Sequence, residues 1–190
     1  MELLILGLIL WSAAHMVPVV APTFRQGLVT KLGEWPYKGA FSFVIFASVA
    51  LMVLGWRSIE TLRPLYDFYS IAAFPALILI LVGFVLIAAS ILPSNFRRTF
   101  RHPQLLGFSL WAFAHLCVNG DVRSVVLFGG LLLWSVATIF LLNKRDGAFQ
   151  KPEKQLPHKG VMVAALGFVL FIVAVRGHEY FTGVALSAGS

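Results

Sequence analysis

Two six-residue phrases, LWSAAH (Leu10–His15) and LWAFAH (Leu110–His115), each place a histidine one helical turn after a tryptophan, deep in an apolar run. An ionisable ring inside a hydrophobic span is costly, so a functional role is its default reading. Neutral imidazole is a common metal ligand, and its unligated nitrogen usually seeks a hydrogen-bond acceptor. The plainer alternative is a pair of neutral histidines bonded to carbonyls or hydroxyls of neighbouring helices. Zinc needs four ligands, or three with an open position, whereas the apolar runs offer two histidines, no carboxylate and one cysteine, Cys117. Haem needs only one or two axial side chains, because the porphyrin supplies the other four nitrogens. Two helices with one imidazole apiece, lined by aromatic and small residues, therefore suit b-type haem, with His15 and His115 on the metal.

The helices that carry these residues show a consistent face. Gln104, Phe108, Trp111, His115 and Asn119 recur at helical spacing, and so do Gly7, Trp11, Ser12 and His15. Taken alone, such an aromatic stripe is more often packing than a cofactor wall. His102 lies thirteen residues before His115, which at about 100° per residue turns it by about 220°. The two cannot share a face. His102 precedes Pro103, which suits the first turn of a helix, so a capping or boundary role is expected for it. His15 and His115 are also offset in depth by roughly 5–10 Å at 1.5 Å per residue, which tilt would have to close.

The surrounding chain is greasy enough to need a bilayer. It is 59% hydrophobic and 12% charged, against about 25% charged in an ordinary soluble domain. The run AFPALILILVGFVLIAASIL, Ala73 to Leu92, carries no charge and meets the length of about 20 residues that a hydrocarbon span requires. These continuous runs lack the alternation of barrel strands, and only helices and closed barrels satisfy their backbone in lipid. The expected fold is all-α: a polytopic membrane helical bundle in a single domain, with six spans near 3–21, 39–56, 73–92, 103–119, 124–142 and 161–175. The first run begins Met1-Glu2 without a basic residue and lacks a convincing signal cleavage site, so it is expected to stay as a mature helix. One cysteine excludes an intrachain disulfide and c-type haem attachment.

The net charge of +7 is distributed as a topology signal and not as a nucleic-acid footprint. Loops one, three and five carry eleven basic residues, including Arg25, Arg97, Arg98, Arg101 and Lys144; the other side has Arg57, Arg63, Arg123 and Arg176. The basic excess marks the cytoplasmic side, which places both termini outside. The segment Arg57 to Ala72 mixes charges with aromatics and suggests a short interfacial helix. The stretch from Asp146 to Gly160 reads as a plain polar loop that holds His158, and His178 is expected at the outer boundary after the last span. Three spans in each half would enter with opposite polarity, as an inverted repeat requires, although six matching residues do not establish one.

The stretch Arg101 to Ser135 resembles the core signature of the NnrU family. Its most specific elements are Arg101-His102-Pro103, Gly107, Trp111, Ala114-His115, Asn119-Gly120-Asp121 and Phe128-Gly129-Gly130. Leu32 to Val44 resembles a second block, and the His15 helix a first; the likeness is good to about Arg145 and weak beyond it. The resemblance implies a multi-pass protein of the bacterial inner membrane associated with denitrification, that is, with nitrite or nitric oxide metabolism. The family is also related to a plant 15-cis-ζ-carotene isomerase that uses b-type haem, whose haem histidines fall on His15 and His115 and whose RHP histidine falls on His102. Arg101 and His102 would then stand at the cytoplasmic mouth, where Arg101 pairs with a haem propionate or an anionic lipid. Trp111 would pack beside the cofactor, and Asn119 and Asp121 would close the outer end. The implied partners are the lipid bilayer, a hydrophobic lipid-like substrate, or a respiratory or denitrification complex.

Two other classes compete. Membrane methyltransferases also carry an RHP motif, but they bind S-adenosylmethionine through an aromatic just after it and a pair of adjacent glutamates near the C-terminus. Here Gln104-Leu105 follows the motif and the only late acid is Glu179. A cofactor-free assembly factor for a respiratory complex is the remaining class.

Overall fold

The computed structural model describes residues 1–60 and 63–184. These residues are helical, with connecting turns and one isolated bridge between Pro64 and Asp121. The helices are α1 (Glu2–Val20), α2 (Pro22–Leu32), α3 (Glu34–Arg57), α4 (Tyr69–Ile91), α5 (Phe96–Thr99), α6 (Pro103–Val118), α7 (Val122–Asp146) and α8 (Pro157–Thr182). The chain divides into two compact units, Met1–Leu62 and Arg63–Ser190.

Among the described residues α1, α3, α4, α7 and α8 are long and apolar enough to cross a membrane. Their outward side chains include Phe43, Phe74 and Leu133, each more than 70% exposed, a surface suited to acyl chains and not to water. The fourth expected span, α6, has only 16 residues. That is about 24 Å of helix against a hydrocarbon core of ~30 Å. Polar turns therefore begin early at both its ends.

Within the first unit α1 packs on α3 through glycines. A Cβ on Gly7 would lie 2.6 Å from the Ser48 carbonyl oxygen, and one on Gly55 would overlap the backbone nitrogen of Leu4. Within the second unit α4 is the hub, contacting α6 and α8, while α7 packs on α6. Gly83 and Gly107 face each other, so that a Cβ on Gly107 would overlap the Gly83 carbonyl oxygen. Gly167 of α8 meets Val85 of α4 in the same way, beside a core of Ala88, Ala89 and Val163. Lipid supplies no hydrophobic drive between helices, and small residues that let backbones approach closely replace it.

Several expectations are corrected. No separate helix forms among the described residues of 57–72, because the backbone donors there are engaged by the turn between α6 and α7: Leu65 and Tyr66 N–H both donate to the Gly120 carbonyl, at 2.7 and 3.3 Å. The short helix with basic residues is instead α2, started by Pro22 and ended by Gly33 at φ 86°. The second span starts earlier than expected, at Glu34, where Lys38 and Glu34 form an ion pair one turn apart at 2.6 Å. His158 lies in the first turn of α8 and not in a loop, and the same helix continues through His178 to Thr182.

Substituting Gly107→Leu should overpack the α4–α6 contact by about 1–3 kcal/mol. Gly129→Ala, where a Cβ meets nothing within 4 Å, should be neutral or slightly stabilising through helix propensity. Thermal unfolding of the detergent-purified protein checks both: the midpoint falls for the first and does not fall for the second.

Candidate functional site

Each echo phrase folds into the same local device. In α1 the His15 Nδ1 lies 2.9 Å from the Trp11 carbonyl oxygen, and in α6 the His115 Nδ1 lies 2.8 Å from the Trp111 carbonyl oxygen. A carbonyl only accepts, so Nδ1 is the donor in both rings. The neutral tautomer so fixed carries its lone pair on Nε2, the nitrogen that a metal would take. The bond follows from helix geometry, since residue i−4 lies directly beneath residue i on the same face.

The walls differ between the two rings. Trp11 tilts over His15 at 4.2 Å between centroids, and Phe41 of α3 meets it edge-on at 5.5 Å. His115 stacks on Phe128 of α7 at 4.5 Å and 28°, with Trp111 tilted at 4.7 Å. Trp111 also meets Phe128 edge-on, and Phe108 meets Trp134, so α6 and α7 share an aromatic box. Asn119 donates both its backbone N–H and its side-chain Nδ2 to the His115 carbonyl, each at 2.9 Å, and so ends α6. Among the described residues no group of three or more His, Cys, Asp or Glu side chains could hold a metal ion. A neutral imidazole with its lone pair on Nε2 and aromatic walls is the donor chemistry that a haem iron accepts.

The α6–α7 turn is built around the same end of α6. The Asp121 carboxylate accepts from Ser124 N–H at 3.0 Å and from Ser124 Oγ at 2.6 Å, capping α7. Tyr66 Oη donates to the Leu116 carbonyl at 2.7 Å, and a Cβ on Gly120 would overlap the Tyr66 carbonyl oxygen. Burial raises the Tyr66 phenol above its ordinary value, with Cys117 and Asp121 adding to the effect.

At the other end of α6, some 20 Å away along the helix, Arg101 and His102 border a cleft of about 430 Å³ with Arg97, Gln104, Leu105 and Phe149. Arg101 Nη1 donates to the Gly147 carbonyl at 2.6 Å, and His102 Nε2 lies 3.1 Å from Asn143 Oδ1. The structure thus brings Trp111, His115 and Asn119 together and sets Arg101 and His102 apart. His102 is the residue that precedes α6, as expected of its boundary position, although its side chain caps nothing. Phe128, Phe41, Tyr66 and Arg97 were not singled out by spacing. Phe128 had a signal as part of Phe128-Gly129-Gly130, and Arg97 only as one of the basic residues of its loop.

Apolar helices in this number and order, with intramembrane histidines, define a multi-pass helical membrane protein. The chain belongs to the NnrU family: the family described as NnrU protein matches residues 3–186, and so extends well past the stretch where the motifs are strongest. No curated protein and no solved structure matches the chain.

Tyr66→Phe should cost about 1 kcal/mol, the usual worth of one such bond. The folded-state phenol titrates above its unfolded value, so the stability it gives is complete below the unfolded pKa of ~10 and is lost as pH rises through the raised one. Unfolding curves at neutral and strongly alkaline pH should therefore differ more for the wild type than for Tyr66→Phe.

Proposed function

We propose that this NnrU protein holds b-type haem in the membrane, which the Nε2 atoms of His15 and His115 would ligate, and serves nitrite or nitric oxide metabolism. The observation that carries the reading is the repeated Nδ1 bond to a tryptophan carbonyl, one turn back in each phrase. Helix geometry would give a merely satisfied histidine the same bond, but in both phrases it puts the proton on Nδ1 and the lone pair on Nε2. Two that donate from the same atom to the same position both keep the ligating nitrogen's lone pair. The backbone carbonyl raises ligand basicity and holds ring orientation, as such partners do around metal-bound histidines. Haem bound by two imidazoles supplies one-electron redox chemistry, the kind that nitrogen-oxide reduction uses.

The chain's own contribution is orientation and exclusion of water. Phe128 stacks on His115 and Trp111 tilts against it, and Phe41 and Trp11 flank His15. Asn119 fixes the last turn of α6 through the His115 carbonyl. The family resemblance supports the denitrification role, and its relation to a haem isomerase supports the cofactor.

Full-length protein expressed with ample haem and purified in detergent should show a Soret band that shifts on reduction. His15→Ala and His115→Ala should each alter or abolish it, while His158→Ala, in the first turn of α8, should leave it unchanged. Monodisperse protein without a Soret band would overturn the reading in favour of a cofactor-free assembly role. Saturable binding of S-adenosylmethionine would direct it to a methyltransferase.

A further inference from the structure

We infer that the cleft at the N-terminus of α6 is a binding site for a phosphate-class anion, taken from a membrane lipid headgroup or from free phosphate. The inference does not rest on haem, because the cleft lies at the opposite end of α6 from His115.

Two kinds of donor converge on this volume of about 430 Å³. Arg97 and Arg101 both line it, and each spends one guanidinium N–H on a carbonyl: Arg97 Nη2 on Ser90 and Arg101 Nη1 on Gly147, both at 2.6 Å. A guanidinium carries five N–H donors in a rigid fork, so each is braced by one bond and keeps others for an oxyanion. The α6 terminus adds backbone donors. His102, the residue before the helix, makes no side-chain cap bond, and Pro103 has no N–H. Leu106 N–H closes on the His102 carbonyl, which leaves the Gln104 and Leu105 N–H groups without intrahelical acceptors, and both residues line the cleft. An uncapped helix start of this kind favours an anion through its N–H groups and its dipole.

The local counter-charge is weak. Asp146 Oδ2 is 3.9 Å from Arg101 Nη2, but its other oxygen is engaged by Arg145 at 2.6 Å. Leu105, Leu142 and Phe149 give the same cleft an apolar side, against which the glycerol and first methylenes of a lipid would pack. Phe149 also lies under the Arg101 guanidinium at 5.8 Å, which holds that group in place. The cleft sits where α4 ends, α6 begins and α7 ends, so all three helices present it at one level. Basic pockets between membrane helices are a recurrent setting for phosphate headgroups.

The test uses the full-length protein, delipidated in detergent, with native mass spectrometry as readout. Dioleoyl-phosphatidylglycerol should be retained in preference to dioleoylglycerol, which lacks phosphate. Arg101→Gln and Arg97→Gln should each weaken retention by about tenfold, the worth of a charged hydrogen bond, while Lys154→Gln, an equal loss of charge outside the cleft, should not. Inorganic phosphate that displaces the lipid at comparable concentration would support the site with free phosphate as its source. A failure to displace supports the lipid. Equal retention of both lipids, or equal weakening by Lys154→Gln, would overturn the inference. Should the arginine variants not fold, phenylglyoxal labelling of the wild type replaces them. Phosphatidylglycerol should slow modification of Arg97 and Arg101 but not of Arg145, and equal slowing of all three would count against the site.

Discussion

Hydrocarbon offers no partner to a peptide N–H, a carbonyl or a hydroxyl, and this chain meets that shortage from within its own helices. The backbone does so by forming α-helices. The polar side chains on those helices do so by turning back one turn. Ser48 donates to Ile45, Ser90 to Ile87, Ser109 to Leu105, Ser135 to Leu132 and Thr138 to Trp134, all to main-chain carbonyls three or four residues earlier. His15 and His115 obey the same rule with Trp11 and Trp111. For a hydroxyl the result is only satisfaction. For an imidazole it selects a tautomer, since one ring nitrogen must carry the proton and the other must then carry the lone pair. The chemistry proposed for these rings thus grows out of the constraint that those serines and that threonine also meet.

A second consequence concerns packing. Lipid and leucine are equally apolar, so helices gain little by hiding side chains from one another and more by bringing backbones close. Gly7 and Gly55 permit this between α1 and α3, and Gly83, Gly107 and Gly167 around α4. The α4–α6 approach matters most, because α6 carries His115 near one end and the Arg101–His102 pair just before the other. Being only 16 residues long, α6 brings polar chemistry inward at both its termini. At one end Tyr66 and Asn119 spend it on the Leu116 and His115 carbonyls, and Asp121 on Ser124. At the other, the uncapped start of the helix and two braced guanidiniums leave it open.

Much of this was legible in the sequence, for local reasons. The apolar runs mark the helices because span length and hydropathy are properties of consecutive residues. The shared face of Phe108, Trp111, His115 and Asn119 follows from the helical period, as does the separation of His102 from His115. Other features carried local signals without being expected from them: Pro22 and Gly33 bracket α2, which connects two spans. The polar composition of 146–160 suggests free solvation, yet Arg98, Arg101 and Asn95 bond to the Pro152, Gly147 and Gln155 carbonyls of that stretch. Composition reports that a loop can be solvated and is silent on which distant donors will claim its backbone.

The sequence by itself determined the long apolar helices, the membrane class and the family, since each depends on runs of consecutive residues or on motifs read in order. Only the tertiary structure decided that Phe128 covers the face of His115, that Tyr66 latches onto the end of α6, and that Arg97 and Arg101 converge on one cleft. Those arrangements join residues far apart in the chain. They depend on how near two backbones can come at a glycine and on which carbonyls are left over at a helix end, and neither is encoded in any single segment.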